Sequence, residues 1–196
     1  TFAGGRGSPG LIDSTRASAR FSNPVGLAVD NSGNLLVADA GNSAIRKVSP
    51  AGVVTTVRIV SNNSFLSIAG VAGDTSGNIY FDTGTQIEKI TPAGAFSILS
   101  GIGYSGSADG PAQSASFGGI QGLVTDASGN VYVADSQNHT IRKVTSAGAV
   151  TTLAGLAGNY GSDDGVGNAA RFNYPVGIAI DSAGYLYVAD SGNSSV

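Results

Sequence analysis

The sequence predicts an all-β fold built from repeated four-stranded antiparallel sheets. First, residues 117–153 contain four short runs, GLVT, NVYVAD, TIRKV and AVTTL, separated by the turn-forming strings DASGN, SQN and TSAG. Second, the same pattern returns three more times along the 196 residues. No run is long enough for a helix, so each repeat is predicted to be one sheet with its strands in chain order.

The second run of the repeat, NVYVAD, predicts a strand that is covered on both sides. Val131 and Val133 point to one face of such a strand, and Tyr132 and Ala134 point to the other. A half-exposed strand would alternate apolar with polar residues. The last run, AVTTL, carries two threonine hydroxyls and is predicted to be an outer strand near solvent.

The repeats occupy residues 21–57, 66–99, 117–153 and 172–196, and the second copy is degenerate. Each copy carries a glycine followed four residues later by an aspartate: Gly26 and Asp30, Gly70 and Asp74, Gly122 and Asp126, Gly177 and Asp181. These aspartates are 44, 52 and 55 residues apart, slightly more than the roughly 40 to 45 residues of a propeller blade. We expect the extra residues to lie in loops.

The pattern PxGLAVDxxGNxxVADxxNxxIRKxxPxGxVTTxAG resembles the NHL repeat over nearly the whole chain. This resemblance implies a β-propeller whose blades are the four-stranded sheets. In the second copy, Thr83 stands where the others have Asp39, Asp135 and Asp190, and two residues are missing before Ile87. We therefore expect a distorted turn between its second and third strands.

The blade count predicted from the sequence is about three and a half. Residues 1–20 are predicted to hold the tail of a preceding outer strand, TFAGG, and an inter-blade loop, while Val196 aligns with the start of a third strand. A ring needs about four to eight blades. The sequence, which lacks methionine, is therefore interpreted as a segment of a longer chain, or as one whose open blade edges associate with other copies.

Composition narrows the classes of partner. The chain has 10 basic and 13 acidic residues and a pI near 4.8, which argues against a nucleic-acid partner because binding phosphates needs a basic face. No stretch of about 18 apolar residues predicts a membrane span. Many Ser, Thr, Gly and Asn with few Lys and Glu favour an extracellular, periplasmic or cell-surface location.

The inter-blade loops carry the candidate binding residues, which are Tyr104, Asp109, Tyr160, Asp163 and Asp164. Asp13, Asp109 and Asp164 each precede the first phenylalanine of a blade by eight residues. We interpret this aspartate as a cap on its own turn, and the phenylalanine as a plug in the seam between blades. Asp163 and Asp164 are the best cation candidates, but two adjacent carboxylates favour a solvated loop.

The residue types that catalysis requires are scarce, so we predict no enzyme activity, no metal and no cofactor for this segment. His139 is the only histidine and Glu88 the only glutamate, whereas a metal site in a related lyase or lactonase propeller needs several such ligands. Strings such as DASGN resemble the start of a calcium loop but lack its later carboxylates. They are interpreted as aspartate-initiated turns.

The third strands carry the remaining charged motifs. They are Arg46-Lys47 and Arg142-Lys143, with Glu88-Lys89 in the degenerate repeat. Next to Asp39 and Asp135, they are expected to form exposed charge pairs between blades. An alternative is a ligand-facing rim of alternating charge.

The functional prediction is a non-catalytic scaffold that binds a protein through its variable loops. A carbohydrate-binding propeller is the alternative, with Tyr104 and Tyr160 stacking on sugars. A third alternative is the non-catalytic part of a larger propeller enzyme whose metal ligands lie outside this segment.

Overall fold

The computed structural model describes residues 1–60 and 68–196, and its strands form four antiparallel sheets. The first sheet contains β1 (Pro24–Val29), β2 (Leu35–Asp39), β3 (Ala44–Val48) and β4 (Val54–Ile59). The second contains β5 (Val71–Gly73), β6 (Ile79–Asp82), β7 (Ile87–Ile90) and β8 (Phe96–Ser100). The third contains β9 (Ile120–Thr125), β10 (Val131–Asp135), β11 (Thr140–Val144) and β12 (Val150–Gly155). The fourth contains β13 (Pro175–Ile180) and β14 (Leu186–Asp190).

The predicted all-β fold is confirmed, and each sheet is a meander whose strands pair in chain order. Short 3-10 helices cover Arg16–Ser18, Ala40–Asn42, Ser136–Asn138, Gly167–Ala169 and Ser191–Asn193. Within the described residues, no helix has the length and apolar character needed to cross a bilayer. Residues 66 and 67, with which the second repeat was predicted to begin, lie outside the described residues.

The sheets are blades whose first strands lie side by side, β1 against β5, β5 against β9 and β9 against β13. The repeated glycine makes this approach possible. A Cβ atom on Gly26 would lie 2.3 Å from the Ala69 carbonyl oxygen, and one on Gly122 would lie 2.3 Å from that of Val176. Only a residue without a side chain lets the two inner backbones come this close.

The core lies between blades, as the apolar second strands predicted. Val131 and Val133 are fully buried and pack in one cluster with Tyr80, Leu99 and Phe117 across the seam between the second and third blades. On the other face of the same strand, Ala134 is fully buried and Tyr132 is half-buried, which confirms that the middle strand of the third repeat is covered on both faces.

The middle strands were predicted to be covered on both faces, but the outer faces of the first and fourth blades are partly exposed. Tyr187 of β14, the counterpart of Tyr132, is 53% exposed, and Leu27 of β1 is 69% exposed. Within the described part of the chain, no further sheet packs on either face. Apolar side chains are therefore exposed on both outer faces. On the first blade this exposure is partial, because residues 1–21 cover Val37 and Val48.

The turn between the second and third strands has a different structure in the regular blades and in the degenerate one. In the regular blades a 3-10 helix ends at a residue with left-handed backbone, namely Ser43, His139 or Ser194. In the second blade the Thr83 N–H instead donates to the Gln86 carbonyl at 3.0 Å and closes a shorter turn. The predicted distortion at this position is confirmed.

Candidate functional site

A buried arginine network holds the long loops before the first and third blades onto the blade that follows each of them. In the third blade, Arg142 of β11 donates from Nη1 to Asp135 Oδ2 at 2.8 Å and from Nη2 to Asp109 Oδ1 at 2.7 Å. The same guanidinium also donates to the carbonyl oxygens of Ser116 and Ala108. The Arg142 side chain is only 1% exposed and that of Asp135 is fully buried, so the bond between them forms away from water, where charged hydrogen bonds are strongest. The Asp109 side chain is 46% exposed, so the bond to Asp109 lies at the edge of the buried region.

The first blade repeats this network, and it overturns the prediction of exposed pairs between blades. Arg46 contacts Asp39 and Asp13, both at 2.8 Å, and its side chain is fully buried. The ion pair with Asp39 lies within one blade, and the ion pair with Asp13 ties in the loop that enters it. The alternative of a ligand-facing rim is also wrong for Arg46 and Arg142, since neither guanidinium reaches the surface.

The loop aspartate contacts two strands at once. Asp109 Oδ2 accepts the backbone N–H of Thr152 at 2.9 Å, and its Oδ1 accepts the Thr152 hydroxyl at 3.1 Å. The interpretation of Asp109 as a cap on its own turn is therefore wrong, because its partners lie on β11 and β12. Phe117 is fully buried, and its ring centroid lies 5.4 Å from the Arg142 guanidinium carbon, which confirms its predicted place in the seam.

The second blade lacks this network. Glu88 takes the place of the arginine, and the buried carboxylate comes from Asp82, one residue before the position that alignment assigned to Thr83. Asp82 accepts hydrogen bonds from the backbone N–H groups of Ala69 and Gly70. Burial nevertheless raises the pKa of Asp82 to about 7. The sequence did contain a signal for Asp82: an aspartate stands one residue before the position that holds Asp39, Asp135 or Asp190 in the other repeats, and the turn after it is shortened.

The loop end of the blades carries an aromatic group that we call the tyrosine cluster, formed by Tyr160, His139 and Tyr174. The His139 ring centroid lies 4.7 Å from that of Tyr174, edge to face, and 5.6 Å from that of Tyr160. The His139 Nδ1 atom also accepts the Tyr174 backbone N–H at 3.1 Å. His139 is 6% exposed, whereas Tyr160 and Tyr174 are 70% and 53% exposed. The cluster therefore presents two tyrosine rings on a buried histidine.

Sequence reasoning found Tyr160 but missed the other two members of the tyrosine cluster. His139 was assigned to the turn after β10, which is correct, but its contact with the next blade depends on packing across the seam. Tyr174 precedes Pro175 in the string FNYPVG and has left-handed backbone with a φ of 51°. That conformation is rare for a tyrosine, and it was not visible in the repeat pattern.

The other predicted site residues lie apart from the tyrosine cluster. Tyr104 is 77% exposed on the loop before the third blade, which is tied down by a hydrogen bond from Asn138 Nδ2 to the Gly106 carbonyl at 2.7 Å. Asp109 is engaged by the arginine network. Asp163 and Asp164 are exposed on the loop before the fourth blade.

The opposite end of the blades carries the aspartate turns between first and second strands. Asp126 Oδ1 accepts the backbone N–H groups of Ser128 and Asn130, and its Oδ2 accepts Asn130 Nδ2 at 2.7 Å. Burial acts to raise the pKa of Asp126, but these hydrogen bonds outweigh it and hold the pKa below its usual range. The predicted aspartate-initiated turns are confirmed. Among residues 1–60 and 68–196, no group of three or more His, Cys, Asp or Glu is arranged to hold a metal ion.

The NHL repeat family model matches three stretches of the chain, residues 21–48, 117–144 and 172–196. These stretches belong to the first, third and fourth repeats, in which the second strand ends in Asp39, Asp135 or Asp190. The degenerate second repeat lies outside the matched stretches.

Known proteins resemble parts or most of this chain. Protein SUPPRESSOR OF QUENCHING 1, chloroplastic, from Arabidopsis thaliana is 40% identical over 76 residues, which are 38% of this chain and 7% of that protein. An auxiliary nutrient binding protein from Bacteroides ovatus has a TM-score of 0.76 at 22% identity, covering 91% of this chain and 48% of that one. Virginiamycin B lyase from Staphylococcus aureus has a TM-score of 0.60 at 16% identity, covering 85% and 48%.

At these identities, the solved structures establish the propeller fold and nothing further. The chain spans about half the length of each of them and a small part of the plant protein.

Proposed function

Since this chain is an NHL-repeat β-propeller, we propose that it is a non-catalytic scaffold that binds a protein partner through the loop end of its blades. The tyrosine cluster is the observation that carries this proposal. Exposed tyrosines supply large contact area at low conformational entropy cost, and they are enriched at the centres of protein interfaces. Tyr160 and Tyr174 are two such exposed rings, and both contact His139.

The rigidity of the loops supports the same proposal. The loop that carries Tyr104 is tied to Asn138 and, through Asp109, to the buried Arg142. The loop that carries Tyr160 is tied by a 2.6 Å hydrogen bond from Asn193 Nδ2 to the Gly161 carbonyl. A surface fixed in advance loses less entropy on binding than a flexible one, which favours affinity.

The protonation chemistry of the described residues also favours binding over catalysis. His139 already uses Nδ1 to accept the Tyr174 N–H and is enclosed by two rings. Glu88 is buried in the second blade, and burial raises the pKa of its carboxyl group. Both side chains are buried, which supports a binding role rather than a catalytic one.

A carbohydrate ligand is the second candidate, favoured by the same two tyrosine rings. Sugars stack on exposed aromatic faces while nearby carboxylates accept their hydroxyl groups, and Asp163 follows Tyr160 on the same loop. For either ligand we propose a secreted or cell-surface location. The Ser, Thr, Gly and Asn content and the likeness to an auxiliary nutrient binding protein support that location.

Tyrosine substitutions separate the two candidates. The immobilised chain is used to capture secreted and surface proteins of its source, and the captured protein is purified and titrated against variants. We expect Tyr160→Ala with Tyr174→Ala to weaken binding at least tenfold. Tyr185→Ala is the matched control, because Tyr185 is 69% exposed in the β13–β14 turn at the opposite end.

The same variants are applied to a glycan array. Glycan binding that is lost on Tyr160→Ala, with no protein partner, would favour the carbohydrate candidate. Binding of either class that survives the double variant would show that the ligand surface lies elsewhere on the propeller.

A further inference from the structure

The second residue of the second strand differs between the first blade and the other three. In those three blades it is a tyrosine that donates its hydroxyl to Oδ2 of the aspartate in the preceding turn. The pairs are Tyr80 with Asp74 at 2.9 Å, Tyr132 with Asp126 at 3.2 Å and Tyr187 with Asp181 at 3.1 Å. The first blade has Leu36 at this position. Because leucine has no hydroxyl, the turn aspartate Asp30 lacks this bond, although its bonds to Ser32 and Asn34 are formed.

The lysine that pairs with this position also lacks its usual neighbour in the first blade. In the second and third blades the ammonium groups of Lys89 and Lys143 lie 5.4 and 5.5 Å from the tyrosine ring centroid of their own blade, within the range of a cation–π contact. Lys47 pairs with Leu36 instead. Among residues 1–60 and 68–196, Lys47 contacts no aromatic ring and forms no ion pair.

A cavity of about 310 Å³ lies at this place, in the seam between the first and second blades. Its lining includes the polar residues Asp30, Asn34, Lys47 and Asn78 and the apolar residues Val57, Ile79 and Ile90. In the next seam, a Cβ atom on Gly129 would lie 3.8 Å from the hydroxyl oxygen of Tyr80, which is fully buried. The corresponding Cβ atom on Gly77 would have only Pro92 within 4 Å. The cavity therefore lies where the Tyr80 ring lies in the next seam.

The charge and size of the cavity suit a small aromatic alcohol. Burial acts to raise the pKa of Asp30, but hydrogen bonds from Asn34 and Ser32 and the charge of Lys47 outweigh it and hold the pKa below its usual range. Asp30 is therefore an ionised acceptor for a hydroxyl group. Small-molecule sites have volumes of about 300–1,000 Å³, and an apolar cavity of about 150 Å³ is enough for benzene.

We propose that this cavity is a binding site for a free monocyclic phenol. The ring would lie between the Lys47 ammonium and the apolar wall, and the hydroxyl would donate to Asp30 Oδ2, the counterpart of the oxygen that the tyrosines contact in the other blades. The cavity opens to solvent beside the exposed residues Ser32, Pro92 and Gly94. It lies between two four-stranded blades, at the opposite end from the tyrosine cluster, so it is independent of the proposed protein-binding surface.

The compound p-cresol, which is the side chain of tyrosine as a free molecule, tests the site on the 196-residue chain. We expect a titration of the ¹⁵N-labelled protein to give saturable shifts of the amide signals of Asn34, Gly77 and Asn78, which line the cavity. The control compound 4-fluorotoluene has fluorine in place of the hydroxyl and cannot donate. It should bind at least tenfold more weakly, because a hydrogen bond to a charged group is lost. Absence of saturable shifts, or equal affinity for the two compounds, would overturn the proposal.

Three variants localise the binding. Leu36→Tyr should place a phenol in the cavity from within and abolish p-cresol binding, with the urea midpoint showing that the variant is folded. Asp30→Asn keeps an oxygen for the turn and should reduce the affinity for p-cresol to that for 4-fluorotoluene. Asp126→Asn makes the same change in a turn whose tyrosine is present, and should leave p-cresol binding unchanged. Binding that persists in folded Leu36→Tyr, or equal effects of the two asparagine variants, would refute the site.

A capped amino acid separates a free phenol from a tyrosine side chain carried by a protein. N-acetyltyrosinamide has the same ring as p-cresol, but its two amide groups must pass the rim formed by Ser32 and Pro92. We expect it to bind more weakly than p-cresol in the same titration. Tighter binding of the capped tyrosine would assign the cavity to a protein side chain and overturn the proposal of a free phenol.

Discussion

Replacing Arg142 by glutamine tests whether the buried network stabilises the third blade. The change removes the guanidinium from Asp135, which is fully buried, and from Asp109, whose side chain is 46% exposed. Removing one partner of a buried ion pair costs about 3–5 kcal/mol, because the other charge stays buried without its counter-ion. The half-exposed contact adds at most about 1 kcal/mol. We expect Arg142→Gln to lower the free energy of unfolding by about 3–5 kcal/mol.

Two variants provide the scale for this measurement. Asp109→Asn should cost about 1 kcal/mol, since solvent screens its carboxylate. Arg171→Gln should change stability by less, because Arg171 donates only to two carbonyl groups at the surface. Unfolding in urea followed by circular dichroism gives the three values, with the transition midpoint as the primary readout.

Hydrogen exchange localises the effect within the chain. The Gly118 N–H donates to Asp135 and the Thr152 N–H donates to Asp109, so both amides should exchange faster in Arg142→Gln than in the parent. If the loss of stability is under 1 kcal/mol and equals that of Arg171→Gln, the network has no special role. The interpretation of the loops as anchored by it would then fail.

Two further predictions concern the second blade and the seams. Because burial raises the folded-state pKa of Asp82 to about 7, the folded protein holds a proton that the unfolded chain has lost above about pH 4. The free energy of unfolding should therefore fall as the pH rises from about 4 to about 7. In urea titrations, the free energy of unfolding of Asp82→Asn should rise relative to that of the parent by up to roughly 1.4 kcal/mol per pH unit over that range. A difference between the two proteins that does not change with pH would contradict this. Gly122→Ala should destabilise the protein by more than about 2 kcal/mol because its Cβ would meet the Val176 carbonyl, whereas Gly177→Ala, with no atom nearer than 3.5 Å, should be tolerated. Equal thermal shifts for the two alanine variants would show that close approach does not set the glycine preference.

The strand order was predictable because the signals for each strand and turn lie close together in the sequence of each repeat. The alternation of apolar runs with turn strings such as DASGN is fixed by residues a few positions apart, and the Asp126 turn forms as that string predicts. The glycine and aspartate anchors were also visible as a constant spacing. Their physical reason, the close approach of Gly122 to Val176, depends on the neighbouring blade.

The site was less predictable because its contacts join distant parts of the chain. Arg142 and Asp109 are 33 residues apart, and nothing in either motif indicates that they meet in the core. His139 and Tyr174 are 35 residues apart and belong to different blades. The exposed pair predicted for Arg46 was wrong for the same reason, since charge alone does not reveal whether an arginine has enough partners to be buried.

The arginine network divides the long connection into the third blade into a fixed part and a variable part. In the loop before the third blade, Gly106, Asp109 and Gly110 are hydrogen-bonded to the blade that follows, while Tyr104 is 77% exposed. New binding sequences should therefore be grafted into the few residues around Tyr104 or Tyr160. The same insertion placed after Asp109 would separate the carboxylate from its strands and loosen the blade that displays it.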